Sequence, residues 1–286
     1  MERNIKLFVT DMDGTLLNDE HKISRENLIA LKELKEIGID ILVATGRANA
    51  EVKAYIRELG IDAPVICCNG GYITNVMTKE HISINDISKE SVFKTMELCR
   101  KYRMSYILYG DENIYVDEIS EFVLMIQNYN KTLQDEDKIP LVIVDDINKV
   151  INSEERVVKI LISCEGHDLF GIVEKELEKI ENTTTYKSIE KSKVIIDIVS
   201  HGVSKGNGIK QYADLKGIKK NEIMAIGNDF NDISMLECAG FSVAMGNAEE
   251  IVKSKADYIT KDNNNHGVAH AIREQLREGG VYGQGY

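Results

Sequence analysis

The apolar run Leu7, Phe8, Val9 leads through Thr10 straight into two carboxylates one residue apart, Asp11 and Asp13, with Gly14 and Thr15 directly behind them. In extended backbone, residues two apart project to the same side, so both carboxylates can flank one cation or one phosphorus while Met12 points away. Magnesium takes hard oxygen ligands and keeps several waters, so one or two carboxylates and a phosphate oxygen suffice to hold it. One carboxylate can attack phosphorus, and its partner can protonate the leaving oxygen and then activate water. The bare pair reads equally well as an Asp-Gly turn with a side-chain cap.

Further polar residues recur in comparable places along the chain. In LVATGR the hydroxyl of Thr45 and the amide of Gly46 can donate to phosphate at the start of a helix whose dipole favours an anion; taken alone, Thr45 is a helix cap. Lys205 in VSKGNG supplies a local positive charge, although a single lysine is ordinarily solvated. In AIGNDFNDISML, Asn228, Asp229 or Asp232 can complete a metal shell and Asn231 can bind phosphate; loop polars also serve only the backbone. Asn69 follows the run VICC. All these residues except Lys205, which stands at a loop-to-helix junction beside glycine, fall at the carboxyl ends of strand-like runs, where ligands sit in open parallel sheets. Glycines at 14, 46, 70, 71 and 227 mark the same loops as turns or close approaches.

The elements that must hold these loops alternate. NIKLFVTD, SRENLIALKELKEIG, IDILVATG, NAEVKAYIRELG and APVICCNGG read as βαβαβ, with Ser24 capping the first helix and Gly38 and Gly60 ending the two helices. The strands are continuous Val/Ile/Leu runs, as expected of a parallel sheet covered on both faces. The rhythm then loosens into a helix around KESVFKTMELCRKY, strands at SYILYG, NIYVDE and LVIVDD, and a polar helix through NYNKTLQDEDK. RVVKILISC, the helix HDLFGIVEKELEKIEN, TTTYKSIE and KVIIDIVS complete this unit. After Ser200 the first pattern resumes through FSVAMG and DYIT. The expected fold class is α/β: a Rossmann-like parallel-sheet core with helices on both faces in residues 1–85 and 200–286, interrupted by an α/β cap domain in residues 86–199.

The chain has 286 residues, 43% apolar and 29% charged, with two prolines, and at this length roughly 75% of the unfolded surface can be buried. A net charge of -12 argues against a nucleic-acid or anionic-membrane partner, which needs a basic patch. It also repels a phosphorylated ligand at long range, so a phosphate site must carry its own cations. Cys67, Cys68, Cys99, Cys164 and Cys238 show no CxxC or zinc spacing and read as reduced core thiols. The amino terminus lacks a signal-like apolar segment and no stretch approaches a membrane span, which places the protein in the cytoplasm. His266 and His270 lack the glutamate of a zinc-protease helix and read as loop and surface residues. The strand tyrosines read as packing, LQDEDK as a solvated face, and the tail GGVYGQGY as having no packing pattern. Monomer and homodimer remain equally open.

DMDGTLL, ATGR, SKG and GNDFND, in this order, resemble the four motifs of the haloacid dehalogenase superfamily, and with FSVAMGNAEEIVKSKADYIT those of its Cof-type phosphatase branch, over essentially the whole chain. The resemblance implies a catalytic magnesium ion and hydrolysis of small phosphomonoesters, often sugar phosphates, through an aspartyl-phosphate. By matching position, Asp11 would be nucleophile and metal ligand, and Asp13 the general acid/base, binding metal through its backbone carbonyl. Met12, Thr45, Gly46, Lys205 and Asn231 would hold the phosphorylated substrate, and Asp232 would support the metal directly or through water. One position departs: many relatives carry aspartate where this chain has Asn228, so the metal would be held by less charge.

Two other functions share these residues. A phosphomutase would pass the phosphoryl group to a sugar instead of water. A non-catalytic regulator would bind a phosphometabolite through Thr45, Lys205 and Asn231, but two carboxylates facing the anion speak against it. A receiver-type signalling domain is disfavoured by the large insertion and the Asp-x-Asp-Gly-Thr order.

Overall fold

The computed structural model describes residues 4–277 apart from 62, 166, 191 and 192. The chain divides into two compact units, the first built from residues up to Arg47, Ala54–Ile82 and from Ser204 onward, the second from Ala48–Lys53 and Ser83–Val203. The tail GGVYGQGY lies outside the described residues. Among the described residues no helix is long and apolar enough to cross a membrane.

The chain begins with β1 (Leu7–Thr10), α1 (Arg25–Glu36), β2 (Asp40–Ala44), α2 (Asn49–Leu59) and β3 (Val65–Cys67), followed by β4 (Tyr72–Asn75) and β5 (Glu80–Ile84). Ser24 caps α1, its side chain accepting from the amide of Asn27. The α2 helix opens at Asn49, where the sequence places NAEVKAYIRELG, so Thr45 stands too far ahead to cap it; the Thr45 hydroxyl accepts from the amide of Arg47 at 3.1 Å instead.

The second unit runs α3 (Lys89–Tyr102), β6 (Ser105–Tyr109), β7 (Ile114–Val116), α4 (Glu121–Asn130), β8 (Leu141–Ile143), α5 (Ile147–Asn152), β9 (Lys159–Glu165), α6 (His167–Leu177), β10 (Thr183–Glu190) and β11 (Lys193–Ser200). The helix expected through NYNKTLQDEDK lies earlier, over Glu121–Asn130, and only its last residues belong to that polar run. The six strands order as β10-β11-β9-β6-β7-β8, antiparallel except for β7 and β8. Val92, Met96, Ile151 and Val173 from α3, α5 and α6 pack against Leu108, Ile160, Ile162 and Ile196 on one face of this sheet.

The chain then returns through α7 (Lys205–Lys216), β12 (Ile223–Gly227), α8 (Ile233–Cys238), β13 (Phe241–Ala244), α9 (Glu250–Lys253), β14 (Tyr258–Ile259) and α10 (Gly267–Arg277). The first unit's sheet orders β14-β13-β12-β1-β2-β3-β4-β5. It is parallel from β14 to β3, while β4 returns antiparallel to β3. Leu7 and Val9 pack with Ile209 and Tyr212 of α7 and Met235 of α8 on one face. On the other face Phe8 is also fully buried, and α1 packs on β2 and α10. Burial on both faces is the physical reason these strands are continuous apolar runs. All five cysteines are buried thiols outside any disulfide, as their setting in apolar runs suggests.

Of the two histidines, His266 lies in a loop as expected and His270 does not. Residues 267–277 form α10, so His270 is helical, and its Nδ1 lies 3.1 Å from the Thr260 hydroxyl. His266 precedes the helix, 3.5 Å from Glu26.

Candidate active site

β1 sits at the centre of the first unit's sheet, between β12 and β2, and hydrogen bonding carries it one residue past its last strand position: the amide of Asp11 donates to the carbonyl of Ile226 at 3.0 Å. Asp11 is thereby locked at the strand end with 4% exposure. The chain then turns sharply, the amides of Thr15 and Leu17 both donating to the carbonyl of Met12. The Met12 side chain points into the core and is fully buried, whereas the Asp13 side chain keeps 47% of its surface. Two carboxylates two residues apart therefore differ in environment, one dry and one wet.

The dry carboxylate has a buried counterion. Ser204 caps α7 with its hydroxyl, which puts Lys205 at the first helical position. The Nζ of Lys205 donates to Oδ1 of Asp11 at 2.7 Å and to Oδ1 of Asp232 at 2.6 Å, and Lys205 is 1% exposed. It is not a solvated surface lysine. Burial, together with the Asp232 charge, pushes the Asp11 carboxyl up to about 7 against the pull of Lys205. Burial alone would lower the Lys205 ammonium, but the carboxylates of Asp11 and Asp232 outweigh it and hold Lys205 above its ordinary value.

Asp232 serves its own loop as well. Its Oδ2 accepts from the amides of Asn228 at 2.8 Å and Asp229 at 3.0 Å, so both carboxylate oxygens are taken by the protein. Asp229 is exposed, its Oδ1 accepting from the amide of Phe230. The Asn228 amide lies 2.7 Å from the Thr15 hydroxyl. With its nitrogen turned inward it also donates to the Asp13 backbone carbonyl at 2.8 Å and to Oδ2 of Asp11 at 3.2 Å; with its oxygen turned inward, three oxygens confront one another. Gly14, at φ 72°, makes this approach possible, since a Cβ there would stand 2.7 Å from the Asn228 amide nitrogen.

Arg47, which the sequence shows only as part of ATGR, grips the wet carboxylate. Its Nε and Nη2 donate to Oδ2 and Oδ1 of Asp13 at 2.8 and 2.7 Å. Burial works upward on Asp13, but this two-pronged bond outweighs it and holds the carboxyl below its usual range. The guanidinium also stacks over Tyr55 at 5.2 Å. The fork needs the loop geometry of Thr45 to Arg47 and is not readable from a tripeptide.

Thr45 is buried and Gly46 half-buried beside it. Asn231 is half-buried, and its Nδ2 donates to Oδ1 of Asn69 at 2.9 Å. The structure therefore gathers Asp11, Asp13, Thr45, Lys205, Asn228, Asn231 and Asp232 at one edge of one sheet, tied through Asn69, Thr15 and Arg47. The turn after Asp13 is braced by Asn247, whose Nδ2 donates to the Gly14 carbonyl at 2.9 Å, and by Asn263, whose Nδ2 donates to the carbonyl of Leu17 at 3.1 Å. Neither brace carries a sequence signal beyond an asparagine in a loop. Among the described residues, no three His, Cys, Asp or Glu side chains cluster as a metal cage.

The model of the haloacid dehalogenase-like hydrolase family matches residues 8–272. A 5-amino-6-(5-phospho-D-ribitylamino)uracil phosphatase of Bacillus subtilis is 30% identical over 95% of this chain and 98% of its own length. Among solved structures, a haloacid dehalogenase-like hydrolase from Bacteroides thetaiotaomicron superposes with a TM-score of 0.81 at 30% identity, over 94% of this chain and 99% of that one. A subclass IIB sugar phosphatase gives 0.79 at 28% identity, over 97% of this chain and all of that chain.

Proposed function

The chain belongs to the haloacid dehalogenase-like hydrolases and is a phosphatase of small phosphorylated molecules, and from that premise we propose that it hydrolyses phosphomonoesters, sugar phosphates foremost, through a phosphoryl group carried on Asp11. The observation that carries this reading is the contrast between the two carboxylates: Asp11 is dry and fixed against Lys205, Asp13 half-exposed and two residues away.

A carboxylate oxygen of Asp11 attacks phosphorus; the ester P–O bond breaks, and the leaving oxygen takes a proton from Asp13. Water then attacks the aspartyl-phosphate, Asp13 accepts its proton, and the acyl phosphate P–O bond breaks to return Asp11 and release phosphate. In the arrangement seen, Arg47 holds Asp13 as a carboxylate, the form needed as base; the acid role requires the fork to release it. Lys205, the Thr45 hydroxyl, the Gly46 amide and Asn231 neutralise and orient the phosphoryl oxygens, as does the backbone between Asp11 and Asp13 at Met12. Such charge and orientation supply most of the rate enhancement in phosphoryl transfer.

The oxygens fit a hard cation. An Asn228 oxygen facing Oδ2 of Asp11 and the Asp13 carbonyl lacks a proton to share, and a magnesium ion would relieve that repulsion. Asp11, the Asp13 carbonyl and Asn228 would hold it. Asp232, with both oxygens engaged, would act at one remove. When bound, the ion supplies charge neutralisation at the transferring phosphoryl group. The second unit, most of which is inserted between Ile82 and Ser204, would read the leaving group, a role that inserted domains commonly take.

Phosphate release should be measured from sugar phosphates, nucleotides, pyridoxal phosphate and 5-amino-6-(5-phospho-D-ribitylamino)uracil, with magnesium or EDTA, for the wild type and Asp11→Asn. Release that requires both metal and Asp11, and is fastest with a sugar phosphate, supports the proposal. Release undiminished in Asp11→Asn would overturn the aspartyl mechanism, and isomerised substrate without free phosphate would make the protein a mutase.

A further inference from the structure

Asn69 takes no part in the steps above, yet it is 1% exposed and bonded into the anion-binding loops on two sides. It lies in the short turn Cys68–Gly70 at φ 57° and ψ 20°, the left-handed region that asparagine tolerates better than most residues. The turn is firmly seated. The Asn69 amide donates to the Thr45 carbonyl at 2.9 Å and the Cys68 amide to the Arg47 carbonyl at 2.8 Å. Gly70, at φ 109°, lies so near the start of α7 that a Cβ would stand 2.6 Å from the Ser204 carbonyl oxygen. From this seat Oδ1 of Asn69 accepts from Nδ2 of Asn231 at 2.9 Å. The pair then leaves two buried atoms without a hydrogen-bond partner, Nδ2 of Asn69 and Oδ1 of Asn231. Buried amides that serve the fold are ordinarily satisfied, and of these two atoms Nδ2 of Asn69 is a donor whose unmet N–H an anionic oxygen would satisfy, while Oδ1 of Asn231 is an acceptor and gives no such signal.

We propose that Asn69 is a positioning residue for the phosphoryl group: by accepting one N–H of Asn231 it fixes which end of that amide is the donor and leaves the second N–H for a phosphoryl oxygen. An Asn231 amide turned the other way would set its oxygen, an acceptor, against that of Asn69. Asn69 thus converts an amide that could present either end into one that presents a donor, at a site where only donors are useful. The inference rests on Asn231 as a phosphate contact.

The test is inorganic phosphate binding to the full chain in magnesium buffer, by calorimetry and by product inhibition, for the wild type, Asn69→Gly, Asn231→Ala and the double variant. Glycine accepts the left-handed backbone, so Asn69→Gly removes the amide without straining the turn. The expected result is a loss of phosphate affinity of about tenfold in Asn69→Gly, with a rise in substrate KM larger than any fall in kcat. In the Asn231→Ala background the same change should cost less than about twofold, because the residue through which Asn69 acts is gone. An equal loss in both backgrounds would show a merely structural role and overturn the proposal, as would wild-type affinity in Asn69→Gly. A wild type that neither binds phosphate nor hydrolyses phosphomonoesters overturns the reading of the whole site, a result distinct from an active wild type matched by Asn69→Gly.

Discussion

Replacing Lys205 by methionine keeps much of the side chain's volume and removes its charge, leaving Asp11 and Asp232 as two buried carboxylates with no counterion between them. Each has an oxygen within 2.7 Å of the present Nζ, so those oxygens lie no more than about 5 Å apart. At an effective dielectric of 20, two unit charges at that separation repel by about 3 kcal/mol, an upper bound that applies above pH 7, because Asp11, already raised to about 7 with Lys205 in place, escapes the repulsion at lower pH by taking up a proton. Breaking a buried pair by removing one partner costs about 3–5 kcal/mol in general, so Lys205→Met should lose stability in that range. The assay is urea unfolding of the full chain in EDTA, which reads the chain's own charges alone. Adding Asp232→Asn removes the repulsion and keeps an oxygen for the amides of Asn228 and Asp229, so the double variant should regain about 2–3 kcal/mol over the single one. A loss below about 1 kcal/mol, or a double variant no more stable than Lys205→Met, would refute the argument that these carboxylates depend on one buried cation.

Three other outcomes follow from the geometry. Gly14→Ala forces a side chain into left-handed backbone against the Asn228 amide, and phosphate release should fall at least about tenfold while most of the fold's stability is retained, checked by kinetics beside thermal unfolding. Asn228→Asp adds a charged ligand, and the magnesium concentration for half-maximal phosphate release should drop by about fivefold or more in a metal titration. Asp197, in the second unit, is held above the ordinary carboxylate range by burial, opposed by Lys159. The folded state therefore binds more protons there than the unfolded one, so this group lowers stability as pH rises from 3.8 through its folded value. Asp197→Asn should flatten that part of the stability profile, measured by denaturant unfolding between pH 4 and pH 7.

The parallel strands were legible because burial on both faces demands unbroken apolar runs, and the site loops because polar residues stood at the ends of those runs. α4 was misplaced because Leu124 and Met125 are exposed, which blurs the apolar spacing of a helix. α10 does not stand out because the polar KDNNNHG loop runs directly into it, although Val268, Ala269 and Ile272 are buried at helical spacing. The antiparallel return of β4 carries no signal of its own in a chain read as strand and helix in alternation. In the site, residue types and order announced the carboxylates and Lys205, but pairings that join loops distant in sequence did not show: Arg47 with Asp13, Asn69 with Asn231, Asn247 with Gly14.

The placement of β1 also governs how the chain comes into being. One neighbour, β2, leaves the ribosome soon after it, but the other, β12, pairs Leu7 with Ile223 and is made only after the whole second unit. At ~5–20 residues per second that wait is on the order of 10–40 s. Throughout it, the strand Leu7–Thr10 has an open edge of unpaired amides and carbonyls, a template for pairing with other chains. Lys205 belongs to the same late segment. Asp11 therefore stays hydrated in the nascent protein until the residue that neutralises it has been synthesised, and the chemistry becomes competent only in the final act of assembly.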